Sequence, residues 1–208
     1  MKPVLSILIC TMPQRELLFK RLEAKLLPQL TSSVECIVHK DNGDISIGEK
    51  REKLKHEAKG EYIVYIDDDD LISRHYVRNI LSTINTPYKL KPDAIGIKGI
   101  YTMDGKERKR LYCSSIYKHW TDAGNKVYRP LNHLTPVKTE LALQAPFPSI
   151  YYGEDRFYSE ALKKLVVTEI MAPGYLYWYD YRPNNSQSVA MDIKDKNKGL
   201  KMLQERGW

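Results

Sequence analysis

Three short runs, VLSILIC (4–10), VECIVHK (34–40) and EYIVYI (61–66), are mostly apolar and are separated by helix-length stretches. A strand without polar alternation is buried on both faces, and several such strands joined by helices define a parallel sheet covered on either side. The first intervening segment, Gln14 to about Lys25, puts Leu17, Leu18, Leu22 and Leu26 on one face, with Pro28 near its stop. The second opens near Ile47, after the polar turn DNGD, and runs through GEKREKLKHEAKG to Gly60, placed as a helix C-cap. A helix from about Arg74 to Ile84 and a strand in DAIGIKGI (93–100) continue the alternation. The expectation is an α/β chain with a mostly parallel central sheet flanked by helices.

The second half changes character. Asp104-Gly105 inside YTMDGKERKRLY is a hairpin signal. The stretch from Cys113 to Thr135 is aromatic, polar and irregular, as a substrate-facing lobe is. VKTELALQ and EDRFYSEALKKL read as helices, VVTEIM and GYLYWYDY as strands, and Lys196 to Glu205 as a short amphipathic helix. At 208 residues, with 42% hydrophobic and 28% charged, one domain is expected. Residues 1–100 are expected as its regular α/β half, 101–190 as its irregular half and 191–208 as a terminal helix.

The three cysteines, Cys10, Cys36 and Cys113, are odd in number and far apart, which suits a reducing, cytoplasmic compartment. The apolar run at residues 4–10 meets TMPQRE rather than a small-residue cleavage site and reads as a buried strand, not a signal peptide. No stretch approaches the roughly 20 apolar residues of a membrane span. A net charge of +7 draws the chain toward polyanions or has no role beyond solvation.

The third apolar run ends in four aspartates, Asp67 to Asp70. In open parallel sheets ligands bind beyond the carboxyl ends of the strands, which is where these carboxylates fall. Asp67 and Asp69 form a D-x-D pair suited to a hard divalent cation and a neighbouring hydroxyl. A plainer reading is an acidic turn with Asp70 as cap, which explains one or two acidic residues better than four. A dehalogenase-type phosphatase would want Thr or Val at Leu71 and the motif on its first strand, and the EF-hand loop spacing also fails.

The run LSILICTMPQR, then DNGD, then GEKREKLKHEAKGEYIVYIDDDD, and later FPSIYYGEDRFYSEAL, resembles the pattern of GT-A glycosyltransferases, family 2 in particular, in the compact form found in bacteriophages and large DNA viruses. The resemblance covers roughly residues 4 to 185. It implies a Rossmann-like nucleotide-diphospho-sugar transferase fold and a nucleotide-sugar donor, with UDP-sugar favoured. It implies nucleoside contacts at Thr11, Pro13 and Arg15, although TMPQR replaces the commoner T-Y-N-R and lacks its aromatic. It also implies that Asp41 reads the uracil edge, that Arg51 with neighbouring Lys50 is the basic pair of the following helix, and that Asp67, beside Asp68, meets the ribose. Asp69 is implied as the ligand of a Mn²⁺ or Mg²⁺ bridging the phosphates, and Asp155 as the general base of an inverting transfer.

Such a reaction leaves negative charge on a nucleoside diphosphate, which a divalent cation stabilises, and needs a base for a weakly nucleophilic hydroxyl. Glu154 would raise the pKa of adjacent Asp155 and a helix N-terminus would lower it. His133 and Lys138, in NHLTPVK, are candidates to approach the diphosphate or metal, and Arg182 or Ser186 to close over it. Tyr177, Trp178, Tyr179 and Tyr181 read as core and surface alternation before a sugar platform. Two acceptors stand open, a hydroxymethylated pyrimidine in DNA, met by KERKR (106–110) and the aromatic 112–128 segment, or a glycan. A binding module without transferase activity is the alternative. The oligomeric state is not written in the sequence.

Overall fold

The computed structural model describes residues 2–86 and 91–182, with 198, 201, 202, 204 and 205. Ser186 and most of the expected terminal helix lie outside the described residues. In chain order the elements are β1 (Leu5–Thr11), α1 (Glu16–Leu26), β2 (Val34–Lys40), α2 (Ile47–Glu57), β3 (Tyr62–Tyr65), β4 (Leu71–Ile72), α3 (Tyr76–Ile84), β5 (Ala94–Met103) and β6 (Lys106–Cys113). There follow β7 (Thr121–Ala123), β8 (Lys126–Arg129), β9 (Val137–Lys138), α4 (Thr139–Ala142), α5 (Glu154–Leu165), β10 (Glu169–Met171) and β11 (Tyr177–Tyr181).

The strands are ordered β2-β1-β3-β9-β5-β6-β8-β7, with β10 and β11 also on β5 and β4 on β11. β1 pairs parallel with both β2 and β3, as the apolar runs predict. Along β1 the side chains alternate between two cores. Leu5, Ile7 and Ile9 pack with Leu22 and Leu26 of α1 and Ile80 of α3, whereas Leu8 and Cys10 pack with Leu54 of α2 and Leu162 of α5. Around β1 and β3 the sheet is therefore covered on both faces, which is why those strands lack polar alternation; β2, expected to be buried as well, lies at the sheet edge and is only partly buried, with Val38 exposed.

β5 changes partners along its length. Its first residues lie beside β9 and β10, and its later ones beside β6 and β11. It thus links the two halves of the chain. The β5–β6 turn has Asp104 and Gly105 both at positive φ, 49° and 73°, the geometry the Asp-Gly signal calls for.

Four expectations are corrected. Leu17 is 80% exposed, because the buried face of α1 runs through Phe19, Leu22 and Leu26 and residue 17 points away from it. Gly60 is not a C-cap, since α2 ends at Glu57 and is capped by Ala58. Gly60 is small because a Cβ there would come within 2.6 Å of the Ser6 backbone nitrogen, and its own N–H donates to Ser6 Oγ. VKTELALQ is not one helix: Val137 and Lys138 form β9, antiparallel between β3 and β5, before the short α4 begins. Lys138 therefore sits opposite Tyr62, at the start of β3, and pairs with Asp93 at 2.9 Å. It lies at the end of the sheet away from the aspartates and has no part in holding a diphosphate there.

Candidate active site

Asp67 to Asp70 follow directly from β3 and line a cavity of about 480 Å³ whose far wall carries Glu154 and Asp155. That volume is in the range of small-molecule sites. The loop is pinned from β11: the Tyr177 hydroxyl accepts from the Asp67 N–H at 3.2 Å and donates to Asp70 Oδ2 at 2.8 Å. The Asp180 N–H also donates to Asp70, at 3.0 Å. Burial, with Asp69 and Asp67 nearby, pushes the Asp70 carboxyl well above the usual carboxylate range. Asp70 is thus the structural member of the four.

The other three each have a cation. Asp68 takes the Arg15 guanidinium through both oxygens, at 2.7–2.9 Å, and the Thr11 hydroxyl at 2.7 Å. Asp69 meets Arg15 at 2.9 Å. Asp67 accepts from Arg51 at 2.6 Å, and His133 Nε2 lies 3.1 Å from its second oxygen. Burial alone would raise Asp67, but His133 and Arg51 hold it well below the usual range. Burial raises Asp69, with Asp67 and Asp68 adding to it against the pull of Arg15. Asp69 is therefore less compensated than Asp67.

Arg51 joins the two walls. It reaches Asp67 on one side and Glu154 on the other, and lies over the rings of Tyr65 and Phe147 at 5.9 and 6.0 Å. Burial pushes the Glu154 carboxyl up to about 8 against Arg51, with Asp155 adding to the rise. α2, which carries Arg51, starts at Ser46, whose hydroxyl accepts the Glu49 N–H at 3.1 Å. α5 starts at Gly153, whose φ of 83° is the left-handed turn that glycine takes without strain. That turn sets Glu154 and Asp155 into the first turn, facing the aspartates.

His133 stands between the walls. Its Nδ1 is 3.9 Å from Asp155 Oδ2, and its loop is fixed by Leu134 N–H donating to Asn132 and by its own carbonyl accepting from Tyr65 N–H. Arg15, Arg51, Asp67, Asp68, Asp69, His133 and Asp155 are brought together at one cavity. Thr11 lies behind it, bonded to Asp68. Asp41 and Lys50 are not cavity-lining; they pair with each other beyond the end of β2. Burial raises Asp41, but Lys50 and the backbone N–H groups of Gly43 and Ile45 outweigh it and lower its pKa. Arg182 lines the cavity and is held by Asp180 at 2.8 Å. Tyr177 and Tyr179 turn inward, Tyr179 stacking on Tyr101 at 5.6 Å, while Trp178 and Tyr181 are exposed.

Among the described residues no three His, Cys, Asp or Glu side chains converge as a metal cage. A hard divalent cation serving a diphosphate needs only one or two carboxylates, the rest of its shell being phosphate oxygens and water. Asp69, which lines the cavity and has Arg15 at Oδ2, fits that single-ligand role.

One group lies in the stretch expected to face substrate but is not singled out by residue. Trp120 lies on the cavity wall with two guanidiniums over its ring, Arg129 at 5.2 Å and Arg156 at 5.5 Å. Arg156 is the residue after Asp155, so the E-D pair already pointed to it, whereas Trp120 and Arg129 are far off in sequence and carry no spacing signal.

No family model matches the chain, and no curated protein matches it. Solved structures do. S. aureus TarS residues 1–349 in complex with UDP-GlcNAc superimposes with a TM-score of 0.61 at 14% identity, covering 92% of this chain and 62% of TarS 1–349. The same TarS fragment with UDP gives 0.58 at 14% identity, over 99% and 71% of the two chains. This chain thus spans about three fifths of the first of these structures. At this identity the likeness establishes the fold, a GT-A glycosyltransferase fold with a mostly parallel sheet flanked by helices. No helix among the described residues is long and apolar enough to cross a membrane.

Proposed function

We propose that the chain is a metal-dependent inverting glycosyltransferase that moves a sugar from a nucleotide-diphosphate sugar, with UDP-sugar the favoured donor, to an acceptor hydroxyl. The observation that carries this is the meeting of two motifs far apart in sequence, Asp67–Asp69 and Glu154–Asp155, across one cavity. The TarS structures with UDP-GlcNAc and UDP show the same fold with a nucleotide ligand of this class. Among this chain's residues Asp69 would hold the cation, while Arg15 and Arg51 order the carboxylates around the donor. A bound Mn²⁺ or Mg²⁺ supplies Lewis-acid stabilisation of charge on the departing diphosphate.

Asp155 takes the acceptor proton. As it does, the acceptor oxygen bonds to the anomeric carbon, and the bond from that carbon to the phosphate oxygen breaks on the opposite face. The electron pair leaves with the nucleoside diphosphate, and the configuration inverts. His133 Nε2, 3.1 Å from Asp67, orients that carboxylate, while its Nδ1 lies 3.9 Å from Asp155. The motifs' likeness to compact phage and viral enzymes and the three free cysteines favour a cytoplasmic enzyme, in the host if viral, with a glycan or a hydroxymethylated pyrimidine in DNA as acceptor.

Titration calorimetry against a panel of nucleotide sugars, first with Mn²⁺ and then with EDTA, tests the reading. Metal-dependent binding of one UDP-sugar is the expected result. Absence of binding in both conditions would overturn it.

A further inference from the structure

The cations of the aspartate wall are already engaged: Arg15 by Asp68 and Asp69, Arg51 by Asp67 and Glu154, Arg182 by Asp180. The opposite wall differs. Arg156 forms no ion pair with any described carboxylate and is half-buried, resting on Trp120. Arg129 rests on the same indole and is steadied from behind by Asp122 at 2.8 Å, a residue about half exposed. An indole under two guanidiniums fixes them at little entropic cost, and a guanidinium so held presents its N–H fork to an oxyanion.

We infer that Trp120, Arg129 and Arg156 form an acceptor-binding subsite for an oxyanion, a phosphate or carboxylate carried by the acceptor beside the hydroxyl that is glycosylated. The inference rests on the transferase reading and assigns its acceptor chemistry. Arg156 directly follows Asp155 on α5, so a charge near the attacking hydroxyl meets it. The donor diphosphate has its own wall across the cavity, with Asp69 and the cation it would hold. Both guanidiniums line the same cavity, as a site for a small anion requires. A nucleic-acid strand needs a row of cations along its path, and the exposed Lys106 and Arg108 of the hairpin do not line this cavity.

The test uses the full chain saturated with UDP and Mn²⁺, titrated with glucose 6-phosphate, glucuronate, glucose and a single-stranded oligothymidylate, read by tryptophan fluorescence and calorimetry. Binding of either or both anionic sugars, with glucose at least roughly tenfold weaker, is expected. Arg156→Gln and Arg129→Gln should each weaken the anionic sugars by roughly ten- to hundredfold while leaving UDP affinity unchanged. Trp120→Phe should remove the fluorescence response. UDP affinity reports the donor site separately, so loss of UDP binding in the unaltered protein counts against the transferase reading and not the subsite. Glucose binding as well as its phosphate, no sugar binding, competition of the anions with UDP, or binding of the oligonucleotide alone would each overturn the subsite.

Discussion

Aspartates stand at both ends of the central sheet, and the two ends use them differently. At the start of β5, Asp93 accepts from Lys138 at 2.9 Å and from the N–H groups of Val167 and Thr168 at 3.1 and 3.0 Å. Burial opposes ionisation there, but these donors hold the carboxyl down at about 2. At the other end burial raises both Asp69 and Asp70, with Asp67 and Asp68 adding to Asp69 and with Asp69 and Asp67 adding to Asp70. One end satisfies its charge within the fold. The other keeps carboxylates crowded, an arrangement that suits an incoming cation more than it suits stability.

Substitutions should separate the two ends. The largest effect is expected at Asp155→Asn, which should lower the turnover number for sugar transfer by about 10²–10⁴-fold with the melting temperature unchanged. Steady-state kinetics beside a thermal melt decide it, and full activity would remove the base assignment. Asp69→Asn should abolish the dependence of UDP affinity on Mn²⁺, measured by calorimetry, while changing stability by less than about 1 kcal/mol. Unfolding of that variant would break the comparison.

Asp93→Asn should behave in the opposite way, costing about 1–3 kcal/mol in urea unfolding with UDP affinity intact. Because the folded-state pKa of Asp93 is depressed, its contribution is present above roughly pH 4, where the unfolded side chain is also ionised, and is lost as pH falls through about 2. The asparagine variant should lose that part of the acid sensitivity. Gly60→Ala, also at this end, should cost about 1–2 kcal/mol, since beyond the Ser6 hydroxyl the new methyl presses on the backbone of β1, which cannot swing aside as a side chain does. A melt unchanged from the parent chain would show that the two strands can part at no cost.

Much of this was legible in the sequence because it is local. Two of the three strands, β1 and β3, announce themselves by nearly unbroken apolar runs, and α5 starts where Gly-Glu-Asp places it, whereas β2 lies at the sheet edge and is only partly buried. The aspartates could be put at the ligand-binding end from strand order alone. What was not legible depends on contacts across the fold. β9 is two residues long, and no local pattern separates it from the helix that follows; only the gap between β3 and β5 makes it a strand. Tyr177 reads as one aromatic among several, yet it pins the aspartate loop. The Ser46 cap had a visible signal in S-x-x-E that the reading passed over.

The position of β9 also sets an order of events during synthesis. Val137 pairs with Ile63 on one side and Ala94 on the other, so the middle of the sheet stays open until that residue leaves the ribosome. At bacterial-like elongation rates the delay after β3 is on the order of several seconds. Through that interval the nascent chain exposes an unpaired β3 edge, the kind of surface that recruits a chaperone or joins a neighbouring chain. Yield of native protein should therefore depend on translation speed between residues 66 and 138.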